Sequence, residues 1–98
     1  MNNSTVLITG ANRGLGLEFV RQYSQLGFSV LACSRDPSSA NELKVLQKNN
    51  SSIEILQLDV ANLNEIVSLS NILKGRSIDI LINNAGIYRS GSLRNVDT

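Results

Sequence analysis

The chain has 98 residues, 42% of them hydrophobic and 17% charged, the make-up of one small globular domain rather than of a disordered segment. A net charge of +1 leaves no electrostatic footprint for nucleic acid or an acidic membrane surface, and no apolar run approaches the ~20 residues that cross a bilayer. The single cysteine, Cys33, permits no internal disulfide, and Met1-Asn2-Asn3-Ser4 has no basic region ahead of a hydrophobic stretch, so a cytoplasmic protein is expected.

Residues 5–9 read as a first strand, apolar enough to be buried on both faces as in a parallel sheet. It runs into Gly10-Ala11-Asn12-Arg13-Gly14-Leu15-Gly16, a glycine-punctuated turn that opens an amphipathic helix. Leu15, Phe19, Tyr23 and Leu26 lie at helical spacing as its apolar stripe, Gly27 is placed to stop it, and Phe28 to pack back against it. Residues 30–33 form a second strand, with Cys33 a buried core residue. Asp36-Pro37 has the look of a helix start, Asp as N-cap and Pro at the first helical position, with Ala40, Leu43 and Leu46 facing the core. The polar turn Asn49-Asn50-Ser51-Ser52 ends that helix, and residues 53–58 make a third strand. Asn62 with Glu65 three residues on resembles a capping box. Leu63, Ile66, Leu69, Ile72 and Leu73 then line a third helix, which Gly75 ends before a fourth strand at 78–82. Strands alternating with helices imply right-handed crossovers and a parallel sheet.

The order strand, tight turn, helix makes an anion site, because free N–H groups and the positive end of the helix dipole meet there. Gly10 lets the chain leave the strand; Gly14 and Gly16 let backbone approach a pyrophosphate and the helix start pack closely. The turn departs from the G-x-G-x-x-G fingerprint and lacks the Gly-Lys-Ser/Thr end of a P-loop. If the third crossover returns over the first strand, the fourth strand is a sheet edge with apolar Ile80 and Ile82 and unpaired backbone.

Thr9-Gly10-x-x-x-Gly14-x-Gly16 resembles the cofactor loop of the short-chain dehydrogenase/reductase family, and Asn83-Asn84-Ala85-Gly86, directly after an apolar strand, is similar to that family's N-N-A-G motif. Two motifs in the right order, each after a strand, carry the resemblance over about residues 5–87. It implies an α/β NAD(P)-binding Rossmann fold over residues 1–98, a parallel sheet of four strands in the order 3-2-1-4 with three helices. It also implies oxidoreductase chemistry, hydride transfer between a nicotinamide cofactor and a small carbonyl or alcohol.

An NAD enzyme places a carboxylate at the end of the second strand, ~20 residues after the loop, to accept from the ribose 2′-OH. Here that place holds Ser34 and Arg35, with Arg13 in the glycine loop, a set that suits a 2′-phosphate through bidentate charge-assisted pairs. In the resembling family basic residues at these places go with NADP, so NADPH is expected over NADH. Asp36 is the rival, late for the NAD carboxylate; its place before Pro37 favours helix capping. The resemblance assigns Asp59-Val60 to the adenine, Asn83 to holding the central sheet together, and Asn84, Ala85 and Gly86 to the cofactor edge; Asn12 and Leu15 belong to the loop. The rival role for Asp59 is to satisfy its own turn. Thr9 is expected to tie strand to loop. No metal site is expected.

The family's chemistry uses a Tyr, a Lys four residues later and a Ser, all beyond N-N-A-G. Here Tyr23 is followed by Gly27 and Tyr88 by Ser92, so the 98 residues hold no catalytic set and are expected to be inactive alone. The expectation is a truncated, interrupted or split reductase, similar to carbonyl reductases and signalling C-factors, that turns over a small carbonyl only if another chain completes it. A non-catalytic nucleotide-binding or signalling fragment is the alternative, and self-association through the fourth strand a third outcome. An S-adenosylmethionine methyltransferase would want an acid at the end of the second strand and has no N-N-A-G.

Overall fold

The computed structural model describes residues 4–59 and 61–84. Strand and helix alternate through them: β1 (Thr5–Ile8), α1 (Gly14–Gln25), β2 (Ser29–Ser34), a 3-10 turn at Pro37–Ser39, α2 (Asn41–Asn49), β3 (Ile53–Gln57), α3 (Leu63–Ile72) and β4 (Ile80–Ile82). All pairings are parallel, as the alternation of elements predicts, and the sheet order is β3-β2-β1-β4, the order the family resemblance implies.

The register sorts the strand residues into two faces. Val6 pairs with Val30 and Ile80, and Ile8 with Ala32 and Ile82. With Ile53 they form one core under α1 and α2, closed by Val20 and Leu43. The alternate residues Leu7, Leu31 and Cys33 point to the other face, where Leu58 and Leu69 cover them. β1 and β2 are central and covered on both sides, which is why both read as unbroken apolar runs rather than as alternation. Each fully buried Leu or Ile contributes about 1.5–3 kcal/mol. Gly27 and Gly75 lie just past α1 and α3 with positive φ, and Phe28 stacks edge-on against Tyr23 at 4.9 Å. The Asn50 side chain donates to the Ser24 carbonyl at 3.0 Å and ties the ends of α1 and α2 together.

Several helix details differ from the sequence expectation. The buried face of α1 is Gly16, Val20 and Ser24, whereas Leu15 and Leu26 are exposed. Phe19 and Tyr23 of the predicted stripe pack against the core, but its two ends turn out to solvent because Gly16, not a large side chain, meets the sheet. Asp36 does not cap an α-helix. Pro37–Ser39 closes as a separate 3-10 turn, and α2 begins at Asn41. Asn62 does cap α3, accepting from the amides of Asn64 and Glu65, but Glu65 does not reach back to close the box. Its carboxylate goes instead to the Asp59 amide at 2.7 Å.

The expected α3 stripe is mostly uncovered: Leu69 is buried and Leu73 packs beside it, while Leu63, Ile66 and Ile72 are exposed. On β4 the exposed side chain is Leu81, at 65%, not Ile80 or Ile82, because these two alternate onto the α1 face. Among the described residues no helix is long and apolar enough to cross a membrane.

Candidate functional site

A cleft of about 560 Å³ opens at the C-terminal ends of the strands. Its base is the turn between β1 and α1, and its far walls are the segments that leave β2 and β3. The turn is held from both sides. The Ala11 amide donates to the Cys33 carbonyl at 2.9 Å, and the Thr9 amide to the Ile82 carbonyl at 3.0 Å.

Thr9 itself is buried, and its hydroxyl links β1 to the start of the Asn-Asn pair. It donates to Asn83 Oδ1 at 3.0 Å and accepts from the Asn84 amide at 2.8 Å. Asn84 Nδ2 then donates to the Gly10 carbonyl at 3.3 Å. Gly16 is required by this closeness: a Cβ there would stand 2.1 Å from the Gly10 carbonyl oxygen and 2.8 Å from Asn84 Nδ2. Gly14 is required for another reason. Its φ is +55°, in the left-handed region, while nothing lies within 4 Å of where its Cβ would be.

The start of α1 has the properties of an anion site. Arg13 at the N-cap is extended and supplies no side-chain cap, and the first turn contains no acid. The amides there have no intrahelical acceptor, and the dipole's positive end adds to their pull on a negative charge. Arg13 and Arg35 both line the cleft and are exposed, and neither guanidinium has an ion-pair partner among the described residues. Ser34 lines the same cleft and is buried, its hydroxyl accepting from the Asp36 amide at 3.3 Å.

The two acids at the cleft are engaged in their own turns. The Asp36 carboxylate accepts from the hydroxyls of Ser38 at 2.6 Å and Ser39 at 3.0 Å. These bonds hold it below the ordinary carboxylate range. Asp59 Oδ1 accepts from the Ala61 amide at 3.0 Å, so the turn-satisfying role is real, and Asp59 still lines the cleft.

The structure therefore brings Gly10, Asn12, Arg13, Gly14, Leu15, Ser34, Arg35, Asp59 and Asn84 together at one opening. Gly16 and Asn83 brace that opening from behind rather than line it. Val60, Ala85 and Gly86 lie outside the described residues. Asp36 lies at the same opening, and Ser39, Leu58 and Ala61 join the wall without having been singled out from the sequence. Leu58 and Ala61 are sequence neighbours of Asp59 and follow from the strand's end. Ser39 carries no signal in the sequence, where Asp36-Pro37 reads as the start of one longer helix; the separate 3-10 turn sets it at the cleft's exposed rim.

The chain matches the family model for short chain dehydrogenase over residues 4–98. It belongs to the short-chain dehydrogenase family. Within the family it is 41% identical over 87 residues to short-chain dehydrogenase/reductase 1 of Saponaria officinalis, covering 83% of this chain and 29% of that protein. It is also 41% identical over 88 residues to (+)-neomenthol dehydrogenase of Arabidopsis thaliana, covering 83% of this chain and 30% of that one. Among solved structures of the family, a carbonyl reductase from Pseudomonas aeruginosa PAO1 in complex with NADP superposes with a TM-score of 0.82 at 33% identity. The match covers 89% of this chain and 38% of the reductase. The chain thus spans about a third of the length of the relatives it matches.

Proposed function

We propose that this chain is the NADP(H)-binding part of a short-chain reductase, and that the cleft is where the dinucleotide lies. The observation that carries the reading is the meeting, at one opening, of a helix start without a side-chain cap and two exposed arginines that form no ion pair among the described residues. The α1 amides and the Gly14 backbone would take the pyrophosphate. Arg13 and Arg35, with the Ser34 hydroxyl beside them, would take the 2′-phosphate through charge-assisted bonds. Asp59 and Val60 would meet the adenine, and Asn84, Ala85 and Gly86 the ribose towards the nicotinamide. Loop residues Gly10, Asn12 and Leu15 would complete the contact, with Gly16 and Asn83 holding its shape. The NADP held by the related carbonyl reductase supports the same choice of cofactor.

When bound, the nicotinamide ring supplies or accepts the hydride. The residues described here bind and orient the cofactor; they do not act on a substrate. No Tyr among the 98 residues has a Lys four positions later. Reduction of a small carbonyl therefore needs groups other than those in this stretch. A cytoplasmic setting and self-association through β4 belong to the same proposal.

Calorimetric titration with NADPH and NADH tests it. NADPH is expected to bind more tightly, and Arg35→Ala to weaken NADPH by about tenfold or more while leaving NADH little changed. Equal affinities for the two cofactors, unaffected by Arg35→Ala, would refute the 2′-phosphate assignment.

A further inference from the structure

Glu65 lies outside the cleft, in the first turn of α3, yet it is bonded to the cleft's wall. Its Oε1 accepts from the Asp59 amide at 2.7 Å, and its Oε2 accepts from Gln57 Nε2 at 3.3 Å. A carboxylate that takes a backbone N–H at this distance makes one of the stronger hydrogen bonds available to a loop. The same loop is pinned at three further points. The Leu58 amide donates to the Ser34 carbonyl at 2.9 Å, the Asn62 amide to the Asp59 carbonyl at 2.8 Å, and the Ala61 amide to Asp59 Oδ1.

Those other bonds set the strand end and the turn after it. The Asn62 amide holds the Asp59 carbonyl from the helix cap, and among the described residues Glu65 is the α3 side chain that holds the Asp59 amide. A Glu at the third position of α3 would ordinarily return to the cap residue's own amide. Here that amide is already taken by Asp59, and the carboxylate is spent on the cleft instead.

We infer that Glu65 is the positioning residue for the Asp59 wall, fixing where the Asp59 carboxylate meets the adenine end of the cofactor. The inference rests on the proposed reading of the cleft. Glu65 touches no cofactor; it acts through the Asp59 backbone.

Two variants separate positioning from a mere contribution to the helix start. Glu65→Asp keeps the negative charge at the positive end of α3 but is a methylene short of the Asp59 amide. Glu65→Gln loses the charge but keeps an acceptor at the same reach. Positioning makes the Asp variant the damaging one; a charge effect on the helix makes it the Gln variant.

The probe is adenosine 2′,5′-bisphosphate, which carries the adenine and the 2′-phosphate without the nicotinamide, titrated calorimetrically into the 98-residue chain. Glu65→Asp is expected to weaken it about tenfold, and Glu65→Gln by much less. In an Asp59→Ala background, Glu65→Asp should cost nothing further, since the side chain it positions is gone. Wild-type binding that Asp59→Ala weakens and Glu65→Asp leaves alone would overturn the inference and spare the cofactor reading. Absence of wild-type binding would remove the cofactor reading and this inference with it. Hydrogen exchange on the wild-type chain guards against a variant that does not fold: the Asp59 amide should be protected well beyond an exposed loop amide. Exchange at a free-peptide rate would overturn the inference without any substitution.

Discussion

At the scale of the residue, two buried side chains carry different burdens. The Thr9 hydroxyl serves Asn83 and Asn84 together, so Thr9→Val keeps the shape and orphans both partners. Asn83 is exposed and Asn84 half-buried, so water can meet part of what they lose, and the cost is at the lower end for a broken hydrogen bond, about 1 kcal/mol. The variant should melt lower by calorimetry and also bind NADPH more weakly, because Asn84 loses its anchor at the cleft. Cys33 is the opposite case, a side chain that does nothing polar. Burial pushes its thiol from 9.0 up to about 12. Below 9.0 the folded and unfolded chains both keep the proton, and stability does not depend on this group. Between 9.0 and about 12 only the unfolded chain releases it, so stability falls as pH rises. Denaturant unfolding on either side of 9.0 should show this decline in the wild type and a shallower one in Cys33→Ala. A decline of equal slope in both would place its origin elsewhere.

At the scale of the element, the decisive contact is between the β1 turn and the start of α1. With a Cβ only 2.1 Å from the Gly10 carbonyl oxygen, Gly16→Ala cannot be absorbed by a rotamer change, because a Cβ is fixed to its own backbone and the atom it meets is backbone too. The helix start must move, at a cost of about 1–3 kcal/mol by analogy with overpacked cores. Since the same turn is the proposed pyrophosphate site, cofactor affinity should fall along with the melting temperature. A Gly16→Ala chain with wild-type stability and NADPH affinity would show that the turn tolerates displacement. By contrast the Gly14 Cβ would meet nothing, so any loss there reflects its positive φ alone.

At the scale of the whole molecule, the two faces of the sheet are finished to different degrees. α1 and α2 close one face, while α3 covers a strip of the other through Leu69 and Leu73. Leu63 is 71% exposed, and Ile66, Val67 and Ile72 are also open to solvent, so α3 is apolar on more sides than it uses. A helix of that pattern is suited to burial against further apolar surface. β4, with Leu81 outward, is an unpaired edge of the described sheet. An isolated polypeptide of these 98 residues should therefore associate as its concentration rises, and Leu81→Lys should reduce that association. Sedimentation velocity at several concentrations measures both; a monomer at all of them would refute it.

The sequence by itself determined the parallel sheet and the place of the proposed cofactor cleft, and the resemblance of its two motifs to a family implied the strand order. The first two follow from local chemistry: apolar runs of strand length, glycines where backbone must turn or approach, and polar residues set just past each strand. It also placed Arg13, Ser34 and Arg35 at one end of the sheet, since successive parallel strands all finish on the same side. Only the tertiary structure decided which side of each helix is inward. Leu15 and Leu26 fit a helical stripe as well as Val20 and Ser24 do, and the choice was made by the closeness that Gly16 permits. It likewise decided that the Asp36 carboxylate binds Ser38 and Ser39, and that Glu65 leaves its cap for Asp59. Spacing along a chain counts the residues between two groups, whereas a carboxylate bonds to whichever donor the fold brings within about 3 Å of it.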